Sequence, residues 1–168
     1  MSRYRPPAAP STALITADGF EALQQEQKAL WVRRKSVTEA VTAAAAEGDR
    51  SENAEYIYRK KELREIDRRI RYLQKRLAVL KVVNEGPTDQ DRIFFGAWVE
   101  LSDEDGQISS MRIVGPDEID TTRHWISVDS VMARSLLKKE EGDEVEVQAP
   151  GGVTRYCVES IRYSGSAE

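Results

Sequence analysis

The sequence predicts an α+β protein in two parts: an N-terminal antiparallel α-helical coiled coil and a small C-terminal α+β domain. Three observations carry this. Heptad-spaced apolar residues run on both sides of Gly48, too close together for anything but a tight connection. No Pro or Gly interrupts residues 50–85. After Asn84 the helical period gives way to short β-like runs punctuated by glycines.

In chain order, residues 1–13, with Pro6, Pro7 and Pro10, read as a flexible tail. Residues 14–84 form the coiled-coil domain. Thr16 and Asp18 place the first helix start near Thr16 or Ala17. Its seam is Phe20, Leu23, Leu30, Val37, Val41 and Ala44, with Gln27 and Arg34 filling the gaps. The second seam is Leu63, Ile66, Ile70, Leu73, Leu77 and Leu80, and it extends back by heptads to Tyr56. Each arm of about 30 residues is roughly 45 Å long. The short connection forces the arms antiparallel. Residues 85–90, including Gly86 and Pro87, read as a linker. In residues 91–168, strands are expected over 94–101, 111–114, 125–128, 144–148 and 155–163. A short helix is expected over 131–139, capped by Ser130.

With 40% hydrophobic and 32% charged residues, the chain has the composition of a soluble protein. Residues 1–84 hold 17 Lys/Arg and 11 Asp/Glu, a balance of +6; the rest carries −10. The basic half can meet nucleic acid. Cys157 is the single cysteine, so no disulfide forms within the chain, which suits a reducing cytoplasm. No apolar run approaches the roughly 20 residues of a membrane span, and the N-terminus lacks a hydrophobic signal core. His124, the only histidine, has no Cys or second His to join it in a zinc site. P-loop, Gly-x-Gly-x-x-Gly and nucleophile-elbow motifs are missing. Nothing in the sequence makes a self-sufficient active site.

Two features remain. The first is the acidic cluster Glu47-Gly48-Asp49-Arg50-Ser51-Glu52-Asn53-Ala54-Glu55-Tyr56 at the end of the rod. Asp49 and Glu52, three apart, fit a capping box at the second helix. They equally fit a pair of Mg²⁺ ligands, too few to hold the ion tightly without a partner. The second is a basic stripe on the outward face of the second arm: Lys61, Arg64, Arg68, Arg71 and Lys75, flanked by Arg69 and Arg76. A solvated surface is the ordinary reading of such a run. Its single sign over four turns, mildly self-repelling, favours an anionic ligand such as a nucleic-acid backbone.

Gly48-Asp49-Arg50-Ser51-Glu52-Asn53-Ala54-Glu55-Tyr56, together with Lys60-Lys61 and Leu63-Arg64-Glu65-Ile66-Asp67-Arg68-Arg69, resembles the GreA/GreB family of bacterial transcript cleavage factors. The Arg-rich second arm and Phe94-Phe95-Gly96-Ala97-Trp98-Val99-Glu100 lie nearer the GreB branch, as do Arg112-Ile113-Val114-Gly115 and Asp117-Glu118-Ile119-Asp120. The similarity covers residues 13–163. It implies an FKBP-like C-terminal domain that docks on RNA polymerase, and a coiled coil that enters the secondary channel. The family's tip acids map onto Asp49 and Glu52, which would hold Mg²⁺ jointly with the polymerase. The polymerase, not this chain, would then cleave backtracked RNA and release a 3′ fragment. The stripe from Lys61 to Arg76 would contact the extruded RNA 3′ segment. Asp129 and Ser130 map onto the docking region, where Val131 stands in place of the family's usual Pro. The resemblance implies a monomer without membrane contact. Two rivals stay open: a channel-binding regulator that does not support cleavage, and an FKBP-like prolyl isomerase or chaperone.

Overall fold

The computed structural model describes residues 10–47, 53–149 and 151–163. They divide into two compact units.

The helical unit, Asp18–Leu80, is built on α1 (Ala17–Ala46) and α2 (Ala54–Leu77). Leu23, Val37 and Ala44 of α1 and Ile66, Ile70 and Leu73 of α2 are buried, as the heptad spacing demands. Val37, Ile66 and Ile70 cluster with Leu30, Val41 and Leu63 packed against them. The helices run in opposite senses. Asn53 meets Ala44, Arg33 and Arg34 meet Glu62 and Asp67, and Glu26 meets Arg69 farther along. No described helix is long and apolar enough to cross a membrane.

α2 spans 24 residues, shorter than the arm expected from the sequence. The chain leaves the helix after Leu77. Lys81–Val83 then forms a strand, β2, parallel to β1 (Leu14–Thr16), with Ile15 opposite Val82. Residues 14–17 and 81–84, expected at the base of the coiled coil, therefore belong to the other unit. The physical reason is burial: Ile15 is fully buried there, and the β-branched Ile15, Thr16, Val82 and Val83 suit strands. Part of the expected tail is tied down as well. The Thr12 backbone N–H and hydroxyl both donate to the Asp129 carboxylate, at 2.8 and 2.5 Å.

The second unit carries a five-stranded sheet in the order β5-β4-β3-β7-β6. Its strands are β3 (Trp98–Asp103), β4 (Ile108–Val114), β5 (Trp125–Ser127), β6 (Glu144–Ala149) and β7 (Gly152–Arg162). Only β4 and β5 pair in parallel within it. α3 (Val131–Leu136) packs near β6. The core gathers Ile93, Val99, Leu101, Ile113, Ala133, Leu136, Val145 and Val158. The expected strand at 94–101 begins only at Trp98. Residues 94–97 turn at Gly96, whose positive φ of 88° suits glycine. Arg112, opposite Trp98 on one neighbour and Trp125 on the other, lies between the two indoles at 5.5 and 5.0 Å.

A buried carboxylate joins β1 to the sheet. Glu118 accepts from the Thr16 backbone N–H at 3.1 Å, from the Thr16 hydroxyl, and from the Gly115 N–H at 3.0 Å. Gly115 is required by close approach: a Cβ there would sit 2.2 Å from the Leu14 carbonyl oxygen.

Candidate functional site

The predicted tip acids, Asp49 and Glu52, lie outside the described residues. The residues flanking them define the ends of the rod. α1 ends at Ala46 and α2 begins at Ala54. Asn53 is the N-cap of α2: its Oδ1 accepts from the Tyr56 backbone N–H at 3.1 Å. Its Nδ2 donates to the Ala44 carbonyl, 2.9 Å away in the last turn of α1. One side chain therefore bonds a terminal group of each helix and ties the two ends together. The cap of α2 considered for Asp49 is filled by Asn53. Nearby, Glu55 pairs with Arg59, and Lys60 lies over the Tyr56 ring at 5.3 Å. Among the described residues no group of three or more His, Cys, Asp or Glu is placed to hold a metal ion.

Asn53→Ala removes the cap and the tie to Ala44. A lost cap costs about 1 kcal/mol, within roughly 0.5–2. The helical signal in a thermal melt should therefore fall by about 4–8 °C. An unchanged melt would mean that water replaces both bonds without loss.

The basic stripe is an exposed row on α2. Lys61, Arg64, Arg68, Arg71 and Lys75 all face solvent. Lys61, Arg64, Arg68 and Lys75 have no carboxylate within ion-pair distance among the described residues. Arg71 donates from Nε to the Asp67 backbone carbonyl at 3.2 Å. Arg69 stands apart from this row. Its guanidinium forms two bonds with Glu26 of α1, at 2.7 and 2.8 Å, and lies 5.2 Å from the Tyr72 ring. Arg69, and Arg76 two turns on, belong to the edge that also carries Glu62. There Arg33 and Arg59 both bond Glu62, and the Arg33 hydrogen bond foremost holds its carboxyl below the ordinary range. The predicted nucleic-acid residues thus split into an outward row with open cations and an edge on which Arg69 is engaged across the helices.

In the sheet unit, Asp129 and Ser130 both have internal partners. Asp129 holds Thr12, and the Ser130 Oγ caps α3 by accepting from the Ala133 N–H at 3.1 Å. Val131 is the first helical residue, where Pro is favoured for its fixed φ. With the Ser130 cap in place, Val131 starts the helix without Pro and leaves its side chain exposed. Beside this turn lies a largely apolar cavity of about 360 Å³, lined by Met111, Ile119, His124, Trp125, Ile126 and Ser130.

The sequence reading assigned no role to Asn53 or Glu118, although both stand in the motifs it quoted, and it passed over Trp31. Asn53 carried a usable signal, since Asn ranks among the best N-caps. Trp31 also carried one, a large aromatic lying off the heptad seam.

Residues 13–82 match the family described as "Transcription elongation factor, N-terminal". Residues 88–163 match "Transcription elongation factor, GreA/GreB, C-term". The chain is 57% identical to "Transcription elongation factor GreB" of Xanthomonas axonopodis pv. citri (strain 306), across 98% of this chain and 99% of that protein. It is also 57% identical to the protein of the same name from Pseudomonas aeruginosa (strain PAO1), across 97% and 98%. Among solved structures, "GreA factor homolog 1 (Gfh1) protein of Thermus thermophilus" is 26% identical, covers 89% of this chain and 98% of its own, and superposes with a TM-score of 0.42.

Proposed function

The chain belongs to the GreA/GreB family of transcription elongation factors, and we propose that it is a GreB-like factor that stimulates RNA polymerase to cleave its own backtracked transcript. The observation that carries this reading is the match of both halves of the chain to the family, with 57% identity to proteins named GreB over nearly the whole length.

In this reading the helical rod enters the polymerase secondary channel, and the sheet unit docks outside through the region of Asp129 and Ser130. Asp49 and Glu52 are this chain's share of a Mg²⁺ site whose other ligands are polymerase carboxylates. Two carboxylates fit that role by donor chemistry, because Mg²⁺ takes one or two of them and leaves its other positions to water and phosphate. The ion bound there would neutralise charge developing during phosphodiester hydrolysis. The tip pair binds and orients, and Asn53 fixes the helix ends that carry it. Lys61, Arg64, Arg68, Arg71 and Lys75 hold the extruded RNA by its phosphates, which is positioning and not covalent chemistry. Arg69 and Arg76 contribute more weakly, since Arg69 is engaged by Glu26.

The test is direct. The purified chain is added to a stalled, backtracked polymerase with Mg²⁺, and the transcript is followed from its 3′ end. Shortening with release of a 3′ fragment is the expected result; none at saturating factor overturns the proposal.

The stripe has its own test. Reversing Arg64, Arg68 and Arg71 to Glu should raise the factor concentration for half-maximal cleavage by more than about 10-fold near 50 mM salt. The gap should narrow as salt rises. An unchanged titration would leave the stripe as a solvated surface.

A further inference from the structure

Trp31 has no place in the packing between the two helices. It sits off the seam and is 47% exposed, and its neighbour Val32 is 74% exposed. The bare half of the indole is aromatic surface that the fold leaves available to a ligand. Its surroundings are ordered. The Arg34 guanidinium lies 5.8 Å from the ring centroid, and its Nε bonds Asp67 Oδ1 at 2.6 Å. Arg71, also tied to residue 67, completes the far wall. Trp31, Arg34, Asp67 and Arg71 line an open surface depression of about 440 Å³, wide enough for one nucleobase to lie against it.

The charge around this depression is basic. Lys28 and Lys35, both exposed, stand one turn to either side of Trp31 on α1. Arg64 lies two turns before Arg71 on the same line of α2 and shares the edge that faces Trp31. The one acid, Asp67, is neutralised by Arg34. An aromatic face set in a row of open cations is the arrangement that binds single-stranded nucleic acid: cations track the backbone while the ring stacks a base.

We propose that this depression is a base-stacking site for one nucleotide of single-stranded RNA, with Trp31 as the platform. Asp67 holds Arg34, the ring's cationic neighbour, in place, and Arg71 joins Arg64 and Arg68 on the adjoining phosphates. The second oxygen of Asp67 can accept from an exocyclic amino group of the stacked base. The proposal rests on the reading of the stripe as an RNA contact and adds a contact that does not depend on salt.

The test uses the full chain and a fluorescein-labelled single-stranded RNA nonamer, with anisotropy measured from about 20 to 200 mM salt. Trp31→Ala should weaken binding by about 5–100-fold at every salt, leaving the slope of log K against log salt unchanged. Trp31→Phe should recover most of the loss. Arg68→Ala should instead flatten the slope by about 0.7. Equal binding by wild type and Trp31→Ala overturns the proposal, as does absence of wild-type binding at the lowest salt. Both proteins are then tried on backtracked polymerase. If the wild type stimulates cleavage and Trp31→Ala matches it at every concentration, the stacking site falls and the cleavage function stands. If the wild type fails to stimulate, that function falls, and the anisotropy still decides the role of Trp31.

Discussion

Asp49→Asn removes most stimulated transcript cleavage while leaving polymerase binding intact. The substitution keeps size and polarity and deletes one negative charge. A carboxylate that completes a shared Mg²⁺ site cannot be replaced by an amide, which offers one weaker neutral oxygen. Loss of even an outer partner of a metal ligand costs about 10–100-fold, so loss of a ligand belongs at the upper end, on the order of 100-fold. The competing account was that Asp49 caps the second helix. Asn53 holds that position, with bonds to Tyr56 and Ala44, so Asp49→Asn should leave the thermal melt of the helices within about 2 °C. The measurement pairs cleavage of a backtracked complex with competition for polymerase against labelled wild-type factor. A variant that binds normally and loses cleavage supports the metal role. Excess Mg²⁺ should restore part of the rate, because the weakened site then fills by mass action. Full activity at ordinary Mg²⁺ would sink the tip mechanism.

The rod was readable from the sequence because its energetics are periodic. Each seam residue repeats the same burial, so the spacing of Leu23, Val37, Ile66, Ile70 and Leu73 carries the fold by itself. The outward stripe was legible for the same reason, as a second line at the same period. What stayed hidden was non-periodic. Nothing local stops α2 at Leu77, since residues 78–80 suit a helix well. It stops because Val82 pairs with Ile15, 67 positions earlier. The split of the stripe was hidden too: Arg69 resembles Arg68 in sequence, and its bonds to Glu26 on the facing helix set it apart. The family resemblance named Asp129 and Ser130 for docking but could not reveal that one holds Thr12 and the other caps α3. These are pairings across long loops, where sequence offers residue types but no partner.

Glu118 is the sharpest such case, and Glu118→Ala should strongly destabilise the sheet unit. In the sequence it is one acid in an acidic half. In the structure it is 8% exposed and accepts from three donors of β1 and the β4 end: the Thr16 N–H, the Thr16 hydroxyl and the Gly115 N–H. Alanine strands those donors where water enters poorly, at about 1–3 kcal/mol for each that finds no substitute. The Thr16 hydroxyl can rotate away, so two backbone N–H groups bear the loss, roughly 3 kcal/mol in all. For a unit of this size that lowers the melting temperature by more than about 10 °C. β1 is only three residues long, so its attachment at Ile15 should loosen first. Hydrogen exchange at Thr16 and Gly115 should then rise well before the sheet core is affected. Gly115→Ala offers an independent route to the same end. Its Cβ would meet the Leu14 carbonyl at 2.2 Å and push β1 outward without touching the carboxylate. If both variants release β1 amides while Leu101 and Ile113 stay protected, the strand is held by this one buried group. If Glu118→Ala melts like the wild type, burial of Ile15 alone suffices and the carboxylate is incidental.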